Sequence, residues 1–279
     1  SRYCFAQQRT IGIATVYEFN YHRPTTLAEA MELHKSAEDG QYLAGGQTLL
    51  PTLKHRLAQP SDVIDLGAIS ELAYIKAEGD GLVIGAATLH ADVAASSEVR
   101  DAIPALADLA GCIGDPQVRN CGTLGGAIAN NDPASDYPAA ILGLNATVIT
   151  DRREISADDF FTDMFETALE AGELVTAVRF PKPAKAGYAK FPNPASRYAI
   201  VGVLAAETAT GIRIAVTGAG PCVFRAGDME AALGTALAIG AELPALSPDS
   251  LNSDMHASAE YRAHLVGIMA ARAIAAALA

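Results

Sequence analysis

Apolar and polar positions along the chain follow the periods of helices and strands. Thr26 and Glu29 have capping-box spacing ahead of Ala30, Met31 and Leu33, which predicts a helix at residues 26–37. Other segments with helical periodicity are residues 49–57, 104–113, 138–144, 228–238 and 258–278. Short apolar segments that favour strands are residues 41–44, 62–66, 73–77, 82–86, 146–150, 174–180, 200–208 and 212–217.

Glycine, proline and polar residues mark the breaks between these elements. Gly79-Asp80-Gly81 joins two predicted strands, and Thr88 stands where it can cap the following helix. Residues 114–138 are polar and glycine-rich with little regular pattern, and loops of that length are usually functional or disordered. The stretch 181–187 predicts a domain boundary, beyond which a small antiparallel sheet backed by helices forms a separate α+β module.

Length and charge narrow the function classes. A chain of 279 residues favours two cores, or one core with an appended module. The formal net charge of −12, from 20 basic and 32 acidic residues, argues against a nucleic-acid partner and against a membrane surface. An anionic cofactor would therefore need local neutralisation by backbone N–H groups, so glycine-rich loops are of interest.

Cysteine and histidine spacing gives no metal site. The chain has four cysteines, Cys4, Cys112, Cys121 and Cys222. They lack any C-x-x-C pairing, which excludes a zinc or iron-sulfur site at the usual spacing. Inert thiols are therefore the expectation. The six histidines are dispersed, so surface or structural roles are expected. No apolar run has the length of a membrane span and no signal-peptide pattern is present, which predicts a cytoplasmic protein.

The first candidate cofactor loop follows the predicted strand at residues 41–44. Ala44-Gly45-Gly46-Gln47-Thr48 leads into the helix that starts near Leu49. Without Cβ atoms, Gly45 and Gly46 let backbone N–H groups approach a pyrophosphate, and Thr48 adds a hydroxyl donor. The same pattern also fits a plain left-handed turn between a strand and a helix.

The second candidate loop repeats this chemistry. Thr123-Leu124-Gly125-Gly126-Ala127 offers glycines and a threonine hydroxyl, and Asp136 downstream is a carboxylate suited to bind a sugar hydroxyl. Two such loops can hold one diphosphate from both sides. Neither has the G-x-G-x-x-G or the Walker pattern, so neither a Rossmann fold nor a P-loop is supported.

With these motifs the chain resembles the FAD-binding medium subunit of the carbon monoxide dehydrogenase and xanthine dehydrogenase (molybdenum hydroxylase) family, from about residue 17 to the end. Besides the two loops and the segment 131–138, the matching stretches are Tyr21-His22-Arg23-Pro24, Ile64-Asp65-Leu66, Ile84-Gly85-Ala86, Lys190-Phe191 and Ser196-Arg197-Tyr198-Ala199-Ile200-Val201. Cys121 and Ala127 depart from residues common in the family. Both changes leave the loop glycines intact.

The resemblance implies an α+β fold: an FAD-binding PCMH-type (vanillyl-alcohol oxidase-like) domain of two α/β subdomains at about 17–70 and 71–183, and a C-terminal domain at 184–279 with an antiparallel sheet and helices. Residues 1–16 form an N-terminal extension. It also implies that Ala44, Gly45, Gly46, Gln47, Thr48 and Leu49, together with Thr123, Leu124, Gly125, Gly126 and Ala127, surround the FAD diphosphate. Asp136 would contact the sugar portion and Lys190 would lie near the flavin ring. Leu174 or Val175 would pack on the isoalloxazine, although a buried strand position is the favoured interpretation of either residue.

The implied function is electron transfer without a catalytic acid or base in this chain. Electrons would arrive from [2Fe-2S] clusters on a small subunit, after hydroxylation at the molybdenum cofactor of a large subunit, and leave to a quinone, NAD or oxygen. The implied assembly is a dimer of heterotrimers. Two alternatives stay open: a self-sufficient FAD-dependent oxidase or dehydrogenase of a small organic substrate, and a non-catalytic scaffold with a decayed flavin site. Intact loop glycines count against the scaffold, because a decayed site would tolerate Cβ atoms.

Overall fold

Successive stretches of the chain build separate β-sheets in the computed structural model, which describes residues 16–279. The strands are β1 (Asn20–His22), β2 (Gly40–Leu43), β3 (Asp62–Asp65), β4 (Ile75–Glu78), β5 (Gly81–Gly85), β6 (Thr147–Thr150), β7 (Glu154–Ser156), β8 (Phe161–Asp163), β9 (Glu166–Thr167), β10 (Val175–Phe180), β11 (Lys185–Pro192), β12 (Ala199–Thr208), β13 (Gly211–Thr217) and β14 (Phe224–Arg225). The helices are α1 (Leu27–Ser36), α2 (Leu49–Lys54), α3 (His90–Ala95), α4 (Ser97–Ala102), α5 (Pro104–Gly111), α6 (Pro116–Arg119), α7 (Leu124–Asn130), α8 (Tyr137–Gly143), α9 (Ala157–Phe160), α10 (Gly227–Leu233) and α11 (Ala259–Ala277).

The first sheet is parallel, with strand order β1-β3-β2. Parallel neighbours need crossover connections, and α1 and α2 lie in those connections. The Thr26 hydroxyl caps α1 by accepting a hydrogen bond from the Glu29 amide at 3.3 Å. The Glu29 carboxylate accepts from the Thr25 amide at 3.0 Å. The predicted cap is confirmed, with the return bond on Thr25 rather than Thr26.

The second sheet is antiparallel, with strand order β4-β5-β10-β6-β7, and carries the largest core. Every residue of the inner strand β5 is buried. Leu106, Leu109, Leu124 and Ile128 from α5 and α7 are fully buried in this core. Burial of such side chains contributes roughly 1.5–3 kcal/mol each to the stability of the fold. This core therefore provides rigid support for the loops attached to it.

The third sheet has strand order β11-β12-β13-β14 and lies between two layers. Val203 and Val216 on one face share a core with Met269 and Ala273 of α11. Leu204, Ala206 and Ala215 join the core of the second sheet. Because neighbouring residues of a strand point to opposite faces, one sheet can bury both sides.

The stretch 181–187, predicted as a domain boundary, contains the start of a strand that the sequence pattern did not predict. β11 begins at Lys185 and pairs with β12 from Lys185 opposite Glu207 through Phe191 opposite Val201. The strand was hidden because its inward positions are small: Gly187 faces the backbone of α11 at Ala273. Small residues give no apolar alternation, yet they admit the helix backbone.

The stretch 114–138 also contains regular structure that the sequence pattern did not predict. Asp115 caps α6 by accepting from the Val118 amide at 2.8 Å, and Thr123 caps α7. The predicted cap at Thr88 is wrong, because Leu89 is the N-cap of α3 and the Thr88 hydroxyl donates to the Tyr74 carbonyl at 3.0 Å.

The other predicted elements are found within five residues of their expected ends, whereas β1, β7, β8, β9, β14 and α4 were not predicted. The predicted N-terminal extension lies outside the described residues except for Val16. Within residues 16–279, no helix combines the length and the apolar character needed to cross a bilayer.

Candidate functional site

The first candidate loop, residues 44–48, connects β2 to α2 and has the backbone that its glycines predict. Gly46 has φ +70°, a left-handed conformation that favours glycine. The Leu50 amide donates to the Gly46 carbonyl at 3.2 Å, which starts the helix. Thr48 is the N-cap, but its hydroxyl makes no capping hydrogen bond. The exposed side chains of Gln47 and Thr48 stand at the edge of the loop.

The two candidate loops lie against each other. A Cβ on Gly45 would overlap the backbone carbonyl of Cys121, and a Cβ on Gly126 would stand 3.6 Å from that of Ala44. Backbones can approach this closely only where the side chain is absent. The predicted pairing of the loops around one region is therefore present in the fold.

Inside the second loop, residues 123–127, most amides are engaged by the protein. The Leu124 amide donates to Thr88 O at 3.1 Å and the Gly125 amide to Ala86 O at 2.8 Å. The Gly126 amide donates to Thr123 Oγ1 at 3.2 Å. A Cβ on Gly125 would meet the Ala86 Cβ at 2.5 Å. Gly125 is thus explained by packing, while Gly126 and Ala127 leave surface exposed next to the first loop.

Asp136 and Lys190 form a buried ion pair between α8 and β11. The two side chains are 4% and 6% exposed, with Nζ 2.9 Å from the Asp136 carboxylate. Tyr188 Oη donates to Asp136 at 2.6 Å, and Lys190 Nζ also donates to Cys112 O at 3.0 Å. No local sequence signal indicates this contact, since 54 residues separate Asp136 from Lys190. It ties the segment after the second loop to the third sheet.

Burial sets the protonation behaviour around this pair. Burial raises the pKa of Asp136, while the ammonium of Lys190 and the hydroxyl of Tyr188 oppose that shift. Burial and the Asp136 charge raise the pKa of the Cys112 thiol to about 12. A thiol in that range stays protonated, in keeping with the inert thiol that was expected.

A cavity of about 530 Å³ adjoins the ion pair, and we call it the Lys190 cavity. Its lining includes three cations, Lys190, Arg119 and Arg197, with one carboxylate, Asp108. This is a local excess of positive charge in a chain whose formal charge is −12. Arg119 lies two residues before Cys121, whose carbonyl meets Gly45 of the first loop. These cations fit an anionic cofactor, with side chains adding to the backbone donors that the sequence predicted.

Leu174 and Leu124 occupy core positions. Leu174 is 7% exposed and packs with Ala30, Ile64 and Leu66 of the first sheet's core. Leu124 is fully buried beneath the second loop. Their places in the core account for both residues, and the predicted cofactor contacts of the candidate side chains stay predictions.

The sequence missed a buried pair beneath the second loop. His90 and Tyr137 have ring centroids 5.3 Å apart, and a Cβ on Gly122 would stand 2.5 Å from His90 Nε2. Burial and nearby Arg119 lower the pKa of His90 to about 4. Gly122 directly precedes the second loop, but only the tertiary structure shows that its missing side chain leaves room for the His90 ring. Across residues 16–279, no three His, Cys, Asp or Glu side chains cluster so as to hold a metal ion.

Comparison with known proteins agrees with this geometry. Residues 17–183 match the family described as the FAD binding domain in molybdopterin dehydrogenase. The chain belongs to that family. Membership makes FAD the cofactor of this oxidoreductase subunit and confirms the expected α+β fold class.

Relatives of the family cover nearly the whole chain. The nicotine 6-hydroxylase medium subunit of Paenarthrobacter nicotinovorans is 37% identical over 277 residues, covering 91% of this chain and 95% of the relative. The carbon monoxide dehydrogenase medium chain of Hydrogenophaga pseudoflava is 36% identical over 280 residues, covering 93% and 96%. A solved structure of that organism's carbon monoxide dehydrogenase, lacking the Mo-pyranopterin moiety, has a TM-score of 0.85 at 36% identity and covers 95% of this chain and 98% of that chain.

Proposed function

We propose that this chain is the FAD-carrying electron-transfer subunit of a molybdenum hydroxylase. It accepts electrons from the [2Fe-2S] clusters of a small partner subunit and passes them to an external acceptor, after a large subunit has oxidised the substrate at its molybdenum cofactor. Relatives named medium subunit or medium chain support this role, since such names belong to assemblies of several chains. A dimer of heterotrimers is the assembly we expect.

The observation that carries the proposal is the contact between the two loops. Gly45 meets the Cys121 carbonyl at the backbone, and Arg119, two residues before Cys121, lines the Lys190 cavity together with Arg197. A diphosphate requires both features in an acidic chain, namely backbone donors at close range and nearby cations. Bound FAD supplies the redox chemistry, and the protein contributes position and electrostatics.

Each candidate residue then has a defined task. Residues 44–49 and the exposed part of 123–127 hold the diphosphate. Asp136 and Lys190 orient the sugar and ring portions, each already fixed by the other. Because their ion pair is buried, they hold one arrangement and need no reorganisation when the cofactor binds.

The test is Gly45→Ala, which places a methyl group against the Cys121 carbonyl and forces the loops apart. We expect FAD affinity to fall by about tenfold or more, which corresponds to an overpacking cost of at least ~1.4 kcal/mol. Bound FAD is measured from the flavin absorbance of the purified protein, and far-UV circular dichroism checks the fold.

Gly227→Ala is the matched control, since a Cβ there meets nothing within 4 Å. It should retain FAD as the unaltered protein does. If Gly45→Ala retains full FAD, the two loops do not form the diphosphate site. If the unaltered protein purifies alone with FAD and oxidises a small organic substrate, the self-sufficient flavoenzyme replaces the subunit role.

A further inference from the structure

A second cavity, of about 480 Å³, lies on the other side of a short loop from the Lys190 cavity. We call it the Phe165 cavity. Segments from three regions line it: residues 132–134, the β8–β9 turn at Met164 and Phe165, and the third sheet with the segment 252–256. Its volume lies in the range of small-molecule sites. Nothing in the proposed FAD contacts uses it.

The two cavities share a wall, the loop 193–198. Asn193 lines both of them. Its side-chain carbonyl accepts from the Ala195 amide at 2.9 Å and the Ser196 amide at 3.2 Å, which fixes the loop. Across the cavity the Ala199 amide donates to Ala134 O at 3.2 Å, two residues before Asp136. A molecule in the Phe165 cavity would therefore sit one loop away from the cofactor region.

Large apolar side chains surround this cavity and stay exposed. Met164, Phe165 and Tyr198 are 44%, 55% and 48% exposed. Phe165 has φ +57°, an unfavourable backbone conformation for an aromatic residue. It is held there by its amide, which donates to Asn131 O at 3.2 Å, while Asn131 Nδ2 donates to the carbonyls of Asp163 and Glu166. The fold thus maintains a strained turn that presents an aromatic ring to solvent, which is typical of a binding surface.

Charge in the Phe165 cavity disfavours phosphorylated ligands. Asp132 and Asp254 both line it, against one cation, Arg262. The Arg262 guanidinium donates to Ile200 O and Gly218 O at 2.7 and 2.8 Å and to Asp254 at 2.7 Å. Its terminal donors and its charge are therefore engaged by the protein. A nicotinamide dinucleotide brings a diphosphate, and this lining offers it no free cation.

The cavity nevertheless has a hydrogen-bond donor at its rim. Since backbone amides hold the Asn193 side-chain oxygen, the Nδ2 group is the one that faces His256 Nδ1, at 3.3 Å. Nδ2 is a donor, so neutral His256 accepts at Nδ1 and carries its proton on Nε2. That N–H can donate to a carbonyl oxygen.

We propose that the Phe165 cavity binds a quinone as the electron acceptor of this protein. An uncharged planar ring fits the apolar rim, and its carbonyl oxygens suit the His256 donor. In the reaction the quinone takes two electrons from reduced FAD and two protons, giving the hydroquinone and oxidised FAD. The inference rests on the proposed function and selects one of the three acceptor classes that the sequence left open.

The test measures binding before turnover. The purified protein with its bound FAD, oxidised and kept anaerobic, is dialysed to equilibrium with duroquinone, whose ring carbons are all substituted so that it cannot alkylate Cys121. We expect Phe165→Ala to weaken binding about tenfold, through the lost aromatic contact. His256→Ala should weaken it about fivefold, as for one neutral hydrogen bond. Ile239→Ala is the control, because Ile239 is also exposed, at 73%, and does not line the cavity.

A second measurement reduces the FAD anaerobically with dithionite and follows its reoxidation. At low duroquinone the rate should fall in Phe165→Ala and His256→Ala by the same factors as the affinity, and NAD should reoxidise the flavin no faster than buffer does. The quinone site is wrong if both variants bind duroquinone like the unaltered protein, if the unaltered protein does not bind it, or if NAD is the faster acceptor. Failure of the proposed function is distinguishable, since the unaltered protein would then oxidise a small organic substrate on its own, whatever the two variants do to duroquinone binding.

Discussion

His90 lies in a buried site that its position in the sequence does not reveal. It was expected to be a surface or structural histidine, and the structure makes it structural: it is 5% exposed and lies beneath the second loop against Tyr137. Its Nδ1 has no protein partner among the described residues. Such a site admits the neutral ring only, because a charge there would lose its hydration without an acidic partner.

This burial predicts a pH dependence. The pKa of His90 falls from 6.5 to about 4 on folding, so as pH drops the unfolded chain binds the proton first. The free energy of unfolding is therefore unaffected by this group above pH 6.5. It falls by about 3 kcal/mol as the pH drops from 6.5 to 4. We expect His90→Gln to remove that loss, measured as the free energy of urea unfolding at several pH values. His55→Gln, at an exposed position, should keep the loss. An unchanged pH profile in His90→Gln would show that His90 does not titrate this way.

Asp136 has protein partners that its predicted role did not include. The family resemblance assigned it to the cofactor's sugar, and the structure adds Lys190 and Tyr188 as its protein partners. Both views are compatible, because a carboxylate has about four lone-pair sites. The pair fixes Asp136 before any ligand arrives.

Among the elements, β11 and α11 depend on one glycine. A Cβ on Gly187 would overlap backbone atoms of Ala273 and Ala277 in α11. Backbone cannot rotate away as a side chain can, so Gly187→Ala must push the helix off the strand. We expect a loss of about 3 kcal/mol in the free energy of unfolding, read by urea denaturation.

The control for Gly187 is again Gly227→Ala, where a Cβ meets nothing within 4 Å. It should change stability by less than about 1 kcal/mol. A similar small change in Gly187→Ala would mean that α11 can shift at little cost, and that the close packing of this pair does not hold the third sheet.

The elements that the sequence predicted are those with a local signal. α1 has its cap at Thr26, and β10 and β12 have runs of apolar residues. β11 was missed because its inward residues are small, and α6 and α7 because their signals are single capping residues, Asp115 and Thr123, within a polar stretch. The loops were found through their glycines. What each glycine contacts, the Cys121 carbonyl or the Ala86 methyl, depends on chain segments far away in sequence.

At the scale of the whole molecule, the third sheet is attached to the second core by apolar packing and by buried cations, namely Lys190 of β11 and Arg213 of β13. Arg213 of β13 is 5% exposed. Its guanidinium donates to Leu142 O at 2.9 Å and to both carboxylate oxygens of Asp158 at 2.8 Å. Asp158 lies in α9, which precedes the third sheet in the chain. The cation thus joins two regions that the sequence analysis treated as separate domains.

We expect Arg213→Met to cost about 2–3 kcal/mol in the free energy of unfolding. Methionine keeps the apolar stem but leaves the buried Leu142 carbonyl without its donor, while the 44% exposed Asp158 side chain regains water and limits the loss. Arg179→Met is the matched control: Arg179 also makes a two-pronged bond to a carboxylate, that of Glu154, but the side chains are 38% and 54% exposed. That exposed pair should contribute less than about 1 kcal/mol. Amide hydrogen exchange should also become faster in β13 and α8 of Arg213→Met. No segment of Arg179→Met should show a comparable increase. Equal effects of the two changes would mean that Arg213 adds nothing to the attachment of the third sheet and only satisfies its own burial.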